Sequence, residues 1–165
     1  MKIHIVLVEP EIPQNTGNIA RTCAIVGAKL HLVKPLGFEI SDKYLKRAGL
    51  DYWDKLDMEI HESFEKFLNK YNPENSNMFF VTTKGKNVYS DIDYSKMDEV
   101  FALFVKETKG LPEDILKKYL QNTVRIPMRE NFRSLNLSNS VAIVAYEMLR
   151  QDEFKNLQEI SSYFD

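Results

Sequence analysis

Two stretches of this chain carry more polar chemistry than their helices need. In PEIPQNTGNIARTCAIVGA, residues 10–28, Asn15 and Thr16 precede Gly17, and Arg21 follows closely. Asn15 or Thr16 can cap a helix by accepting from amide N–H groups that the first turn leaves unpaired. Gly17, lacking a Cβ, lets a ligand or a second backbone come near. The spacing predicts Arg21 within the first turn and a half, where its planar guanidinium reaches the helix mouth and can clamp a phosphate. A capped amphipathic helix with one exposed arginine fits the same residues. The second stretch, RSLNLSNSVAIVAYEMLR at 133–150, sets Ser134, Asn136, Ser138, Asn139 and Ser140 before an apolar helix. Ser138 or Asn139 alone would suffice as its cap. The surplus, with Arg133 upstream, points to a site that receives a polar group at a helix N-terminus.

Other chemistries lack their residues. No G-x-G-x-x-G follows the first apolar run, and no G-x-x-x-x-G-K-[ST] occurs, so neither nucleotide-binding fingerprint applies. His4 and His31 fall within predicted strands and His61 within an acidic surface stretch, so neither a metal cluster nor a histidine-based triad is expected. Cys23, the one cysteine, sits in an apolar helical pattern and reads as a free buried thiol.

These residues need a frame. A chain of 165 residues, 44% hydrophobic and 28% charged, fits one domain over 1–165 with a full core. No apolar run approaches the roughly 20 residues that cross a bilayer, and MKIHIVLVEPEIP has no small-residue cleavage site. A cytoplasmic protein with no membrane partner is expected. The net charge of −2, from 22 basic and 24 acidic residues, excludes an indiscriminate polycation. Any nucleic-acid contact must be local. Basic residues gather at Lys43, Lys46 and Arg47, at Lys84 and Lys86, and at Arg125, Arg129 and Arg133, although each group alone also reads as a solvated face.

Apolar, β-rich runs lie at 3–8, 30–33, 78–83, 100–105 and 123–128, several of them nearly continuous, as strands buried on both faces are. Helical patterns alternate with them, in TGNIARTCAIVGA, DKYLKRAGLDYW, SFEKFLNKY, PEDILKKYL and SNSVAIVAYEMLRQ. That order predicts an α/β fold with a mostly parallel sheet and helices on both faces. Ligands of such sheets sit beyond the carboxyl ends of the strands, which places the candidate site in EPEIPQNTGN, KETKGLP and PMRENFRSLNLSN.

Taken in order, NTGNIAR, FVKETKGLP and IPMRENFRSLNLSNSVAI resemble the three signature motifs of the SPOUT class of RNA ribose 2′-O-methyltransferases. The likeness continues through KPLGFEISDKYLKRAGLDYW and TTKGK and is to the small, single-domain branch that methylates the wobble nucleotide, cytidine or uridine 34, of tRNA. It implies a C-terminal trefoil knot, a homodimer and S-adenosylmethionine as methyl donor. Carried over by position, it implies a cofactor pocket lined by Val81 and Thr82, by Val105 and Gly110, and by Ile126, Met128, Ser134, Leu135 and Asn139. Arg21 matches the arginine the family is thought to use on the ribose 2′-hydroxyl, with Asn15 and Ser138 placing nucleotide and loop. A guanidinium with a pKa above about 12 is a poor base, so orienting the hydroxyl and neutralising phosphate is the role its chemistry favours. The donor already carries a positive leaving group, so no metal is expected.

The implied partner is a tRNA anticodon stem-loop, held by Lys46 and Arg47 of one protomer beside Arg21, Arg129 and Arg133 of the other. Tyr44, Tyr52 or Trp53 are candidates to stack on a splayed base, core packing being the alternative for Trp53. One position departs from the pattern. The family's second motif has glycine after phenylalanine, and here Phe104 is followed by Val105. If that glycine serves a positive φ or a close approach, valine crowds the cofactor, and the alternative is a non-catalytic RNA-binding or cofactor-sensing protein. If only the backbone at 105 touches the cofactor and its dihedrals are extended, valine is tolerated.

Overall fold

Apolar runs that alternate with helical patterns become a single parallel sheet. The computed structural model describes residues 1–41, 52–106 and 108–164. In chain order its elements are β1 (Lys2–Val8), α1 (Pro13–Val26), β2 (Lys29–Val33), β3 (Met58–His61), α2 (Phe64–Lys70), β4 (Met78–Val81), β5 (Asn87–Val88), β6 (Glu99–Val105), α3 (Glu113–Lys118), β7 (Thr123–Arg125) and α4 (Leu137–Gln151). The strands pair in parallel in the order β3-β2-β1-β6-β4-β7-β5. The expected α/β class, with helices on both faces, is what the chain adopts.

Strand alternation sends side chains to two layers. Ile3, Ile5 and Leu7 of β1 join Ile19 and Cys23 of α1 and Val144 and Met148 of α4 in the larger core. Val6 and Val8 face the other way, onto Phe67 of α2 and Leu116 of α3. Each fully buried side chain of this size contributes about 1.5–3 kcal/mol relative to exposure. Cys23 is fully buried in the first layer, as expected of a structural thiol.

Two strands escape the sequence pattern because they are short and flank the sheet: β5 has two residues, and β3 lies in the acidic run LDMEIHESFE. There the expectation for His61 fails. It is 6% exposed, because β3 pairs with β2 and turns alternate side chains of an acidic segment onto the sheet face. The predicted helix at 42–53 lies mostly outside the described residues; within them Trp53–Lys55 forms a 3₁₀ turn.

Both helix starts differ from prediction. Pro13 occupies the first position of α1 with Ile12 at the cap, so Asn15 and Thr16 are buried inside the helix and cap nothing. Arg21 consequently lies more than two turns in, not one and a half. Asn136, not Ser138 or Asn139, caps α4: its Oδ1 accepts from the Ser138 N–H at 2.9 Å and the Asn139 N–H at 3.4 Å.

The path after β7 makes the site. β7 stands three places from β1 in the sheet, yet α4 packs on α1 and shares the core layer of β1. Residues 126–136 therefore run back past the carboxyl ends of β4 and β6.

Candidate active site

Where that return segment passes over the strand ends, it roofs a cavity of about 510 Å³, within the range of small-molecule sites. Val81 and Thr82 enter it from the end of β4, Phe104 and Val105 from the end of β6, and Gly110 and Leu111 from the following loop. Ile126, Met128, Arg133, Ser134 and Leu135 close it from the return segment, and Asn15 joins from α1. Eight of the nine residues predicted for the cofactor thus line one space. Asn139 does not; its backbone N–H donates to the Asn136 cap at 3.4 Å.

Local constraints explain how the loops hold their places. Gly85 is required where the loop after β4 meets β7: an added Cβ would lie 2.4 Å from the Val124 carbonyl carbon. Glu9, just beyond β1, adopts a left-handed backbone with φ 52°. Its carboxylate accepts from the Lys106 ammonium at 2.6 Å, which raises the Lys106 pKa, and the Thr108 hydroxyl donates to Glu11 at 2.8 Å. The loops after β1 and β6, far apart in sequence, are thereby stitched together beside the cavity. Val105 ends an extended strand opposite Val8, and its side chain packs against the second core cluster. The backbone at 105 is therefore extended, as tolerance of valine requires, and Val105 itself lines the cavity.

The α4 mouth is joined to α1 as well. The Asn136 side-chain amide donates to Asn15 Oδ1 at 3.1 Å, and the Ser138 hydroxyl donates to Asn136 Oδ1 at 2.7 Å. Ser138 therefore supports the cap, and with it the loop it is expected to place, and does not line the cavity. Arg21 is also absent from the lining; it is exposed, with its guanidinium 5.0 Å from the Tyr52 ring centroid. Of the predicted RNA contacts, Arg133 lines the cavity and Arg129 is exposed outside it, while Lys46 and Arg47, like Tyr44, fall outside the described residues. The sequence does not single out Lys106, Thr108 or Lys109, and it shows Asn136 among the polar residues of the α4 entry but not as its cap. A signal existed for the last, since Asn136 stands two residues before Ser138 in the reach of an Asx cap.

Apolar walls at Val81, Leu111, Ile126, Met128 and Leu135 with polar groups at Thr82, Ser134 and Asn136 suit a flat heterocycle carrying polar substituents. Lys106, Lys109 and Arg133 add positive charge at the same cavity.

Residues 2–146 match the SpoU rRNA Methylase family. The chain belongs to this family. A tRNA (cytidine(34)-2′-O)-methyltransferase of Methylovorus glucosotrophus is 51% identical over 151 residues, 91% of this chain and 96% of the relative. A solved structure described as giving insight into the 2-OH methylation of C/U34 on tRNA superposes with TM-score 0.85 at 42% identity, covering 93% of this chain and 98% of the other. The AdoMet-bound rRNA methyltransferase of Sinorhizobium meliloti superposes with TM-score 0.80 at 25% identity, covering 90% of this chain and 56% of its own. For a SpoU family member, the cavity lies where a parallel sheet presents its strand ends to a ligand.

Proposed function

We propose that this chain transfers a methyl group from S-adenosylmethionine to the ribose 2′-hydroxyl of the nucleotide at position 34, cytidine or uridine, of tRNA. The observation that carries the reading is the convergence of three separated segments, 81–82, 104–111 and 126–135, on one cavity. Family membership and the full-length likeness to position-34 methyltransferases support the substrate.

Bound in the cavity, S-adenosylmethionine supplies a methyl group activated by its positive sulfur. The chain's residues do the rest. Val81, Leu111, Ile126, Met128 and Leu135 offer the apolar contact for the adenine and exclude water around it, while Thr82 and Ser134 offer hydroxyls to its polar edges. Arg21 orients the attacking hydroxyl and balances the adjacent phosphate, a task of position and charge in which the guanidinium keeps its protons. The proton leaves the hydroxyl late, to solvent.

Because Arg21 is exposed and does not line the cavity of its own chain, the reading includes a homodimer in which a second copy completes the site. Exposed apolar side chains on the mutually packed helices support this: Ile25 on α1, and Ile143 and Tyr146 on α4, are 50%, 36% and 47% exposed. The dimer would also set Arg129, Arg133, Lys46 and Arg47 around one anticodon stem-loop. The return of residues 126–136 across the strand ends supports a trefoil knot as part of the same proposal, with 1–165 acting as one domain in the cytoplasm. Among the described residues no helix is long and apolar enough to cross a membrane.

Mass spectrometry of position-34 nucleosides, from tRNA incubated with the purified chain and S-adenosylmethionine, tests the reading. A 2′-O-methyl group at 34 is expected. Its absence, with the cofactor bound, would favour the non-catalytic alternative.

A further inference from the structure

On the face of the sheet covered by α2, three histidines from three adjacent strands form a line. His4 of β1 has Nδ1 2.7 Å from His31 Nε2 of β2, and His31 Nδ1 is 3.0 Å from His61 Nε2 of β3. At the far end His4 Nε2 lies 2.8 Å from Glu99 Oε1. Near the other end Glu59 Oε1 is 3.7 Å from His61 Nε2. None of these residues lines the cavity described above.

The carboxylate of Glu99 can only accept, so His4 donates through Nε2 and must accept at Nδ1. His31 then donates through Nε2 and is left with a lone pair at Nδ1, aimed at His61 and Glu59. Glu59 and His61 are two residues apart on β3 and so share a face, and His31 pairs in register with Glu59. One donor atom each from His31, Glu59 and His61 lie within 4.8 Å of one another. Two imidazole nitrogens about 3 Å apart are spaced as ligands on one ion with bonds of about 2.0–2.1 Å.

We infer that His31, Glu59 and His61 form a binding site for a divalent transition metal of the zinc, cobalt or nickel class, which pins β3 to β2. Two imidazoles and one carboxylate are the donor set that such borderline ions prefer. The outer support is already built, since a metal-bound histidine characteristically donates its second ring N–H to an acceptor, and His31 does so to His4, which is held by Glu99. Tyr71 donates to Glu59 Oε2 at 3.0 Å and fixes that carboxylate.

Two lysines compete with the ion. Lys29 sits 3.0 Å from Glu59 Oε2 and Lys70 2.5 Å from Oε1. Lys70 holds Oε1, the oxygen that faces His61, and its side chain is 55% exposed and can withdraw into water. The site is therefore one that Lys70 weakens.

The test uses the full chain freed of metal by a chelator. Titration with cobalt chloride should give a saturable visible absorption band at one ion per chain, and zinc chloride should raise the thermal midpoint. His61→Asn should lose both responses. Lys70→Ala, at an exposed position that does not threaten folding, should tighten cobalt binding. No saturable band in the unaltered chain, a band that survives His61→Asn, or Lys70→Ala binding cobalt no more tightly would each overturn the site.

Discussion

The side-chain amide of Asn136 donates to the side-chain oxygen of Asn15 across 3.1 Å, joining two residues 121 positions apart. The same Asn136 caps α4 through its Oδ1. One side chain thus sets the start of the last helix and ties the return segment to α1 at the cavity wall. Asn136→Ala should lower the unfolding free energy by about 1 kcal/mol, as loss of a cap does, and weaken cofactor binding. Asn136→Ser keeps a good cap on a shorter side chain. Denaturant midpoints near those of the original chain, with cofactor affinity still reduced in calorimetry, are the expected pattern for serine.

Arg21 separates chemistry from binding. It lies outside the cavity, so Arg21→Ala should abolish methyl transfer while S-adenosylhomocysteine binds as before. Arg21→Lys keeps the charge but not the planar fork and should recover little of the rate. Transfer of labelled methyl groups to tRNA measures both, and a near-normal rate in the alanine variant would remove Arg21 from the mechanism.

Ser134 offers a hydroxyl at the cavity. Ser134→Ala should cost about 1 kcal/mol of cofactor affinity, roughly fivefold, as for one hydrogen bond lost. Calorimetry with S-adenosylhomocysteine gives the figure directly, and unchanged affinity would mean that the cofactor lies elsewhere.

Ile143 is an exposed apolar residue on α4. Ile143→Glu would place a charge where a second copy is proposed to pack, and burying it unpaired is costly. Sedimentation should then show a monomer, and methyl transfer should fall with the loss of dimer while thermal stability of the folded chain changes little.

Burial pushes the Cys23 thiol up to about 12 from its ordinary 9.0. The unfolded chain therefore loses this proton first as pH rises. Cys23 contributes stability that is fully present below about pH 9 and is lost progressively as pH approaches 12. Denaturant midpoints measured on the alkaline side should decline less steeply in Cys23→Ala than in the original chain. Iodoacetamide at about pH 8 should leave the folded thiol unmodified, since the thiolate is the reactive form.

Nearly continuous apolar runs such as IHIVLV and VFALFV identify buried parallel strands by themselves, because a strand covered on both faces admits a polar side chain only where a partner satisfies it, as His31 and Glu99 do for His4. The same local reading located the polar turns at 9–18, 106–112 and 127–139, since strand ends in such sheets are where loops can vary without disturbing the core. It failed where the outcome depends on a distant partner. β3 hides in an acidic tract because only pairing with β2 turns His61 inward, and no local pattern of Glu and His reports which face a neighbouring strand will cover. Pro13 overrode Asn15 and Thr16 as the start of α1, and Asn15 became the anchor for Asn136. The convergence of Val81, Gly110 and Ser134 on one cavity, and of His4, His31 and His61 into one line, arises from strand order and chain return. Those are decided by how the layers pack, and a sequence records them only indirectly, in residues too far apart to show periodicity.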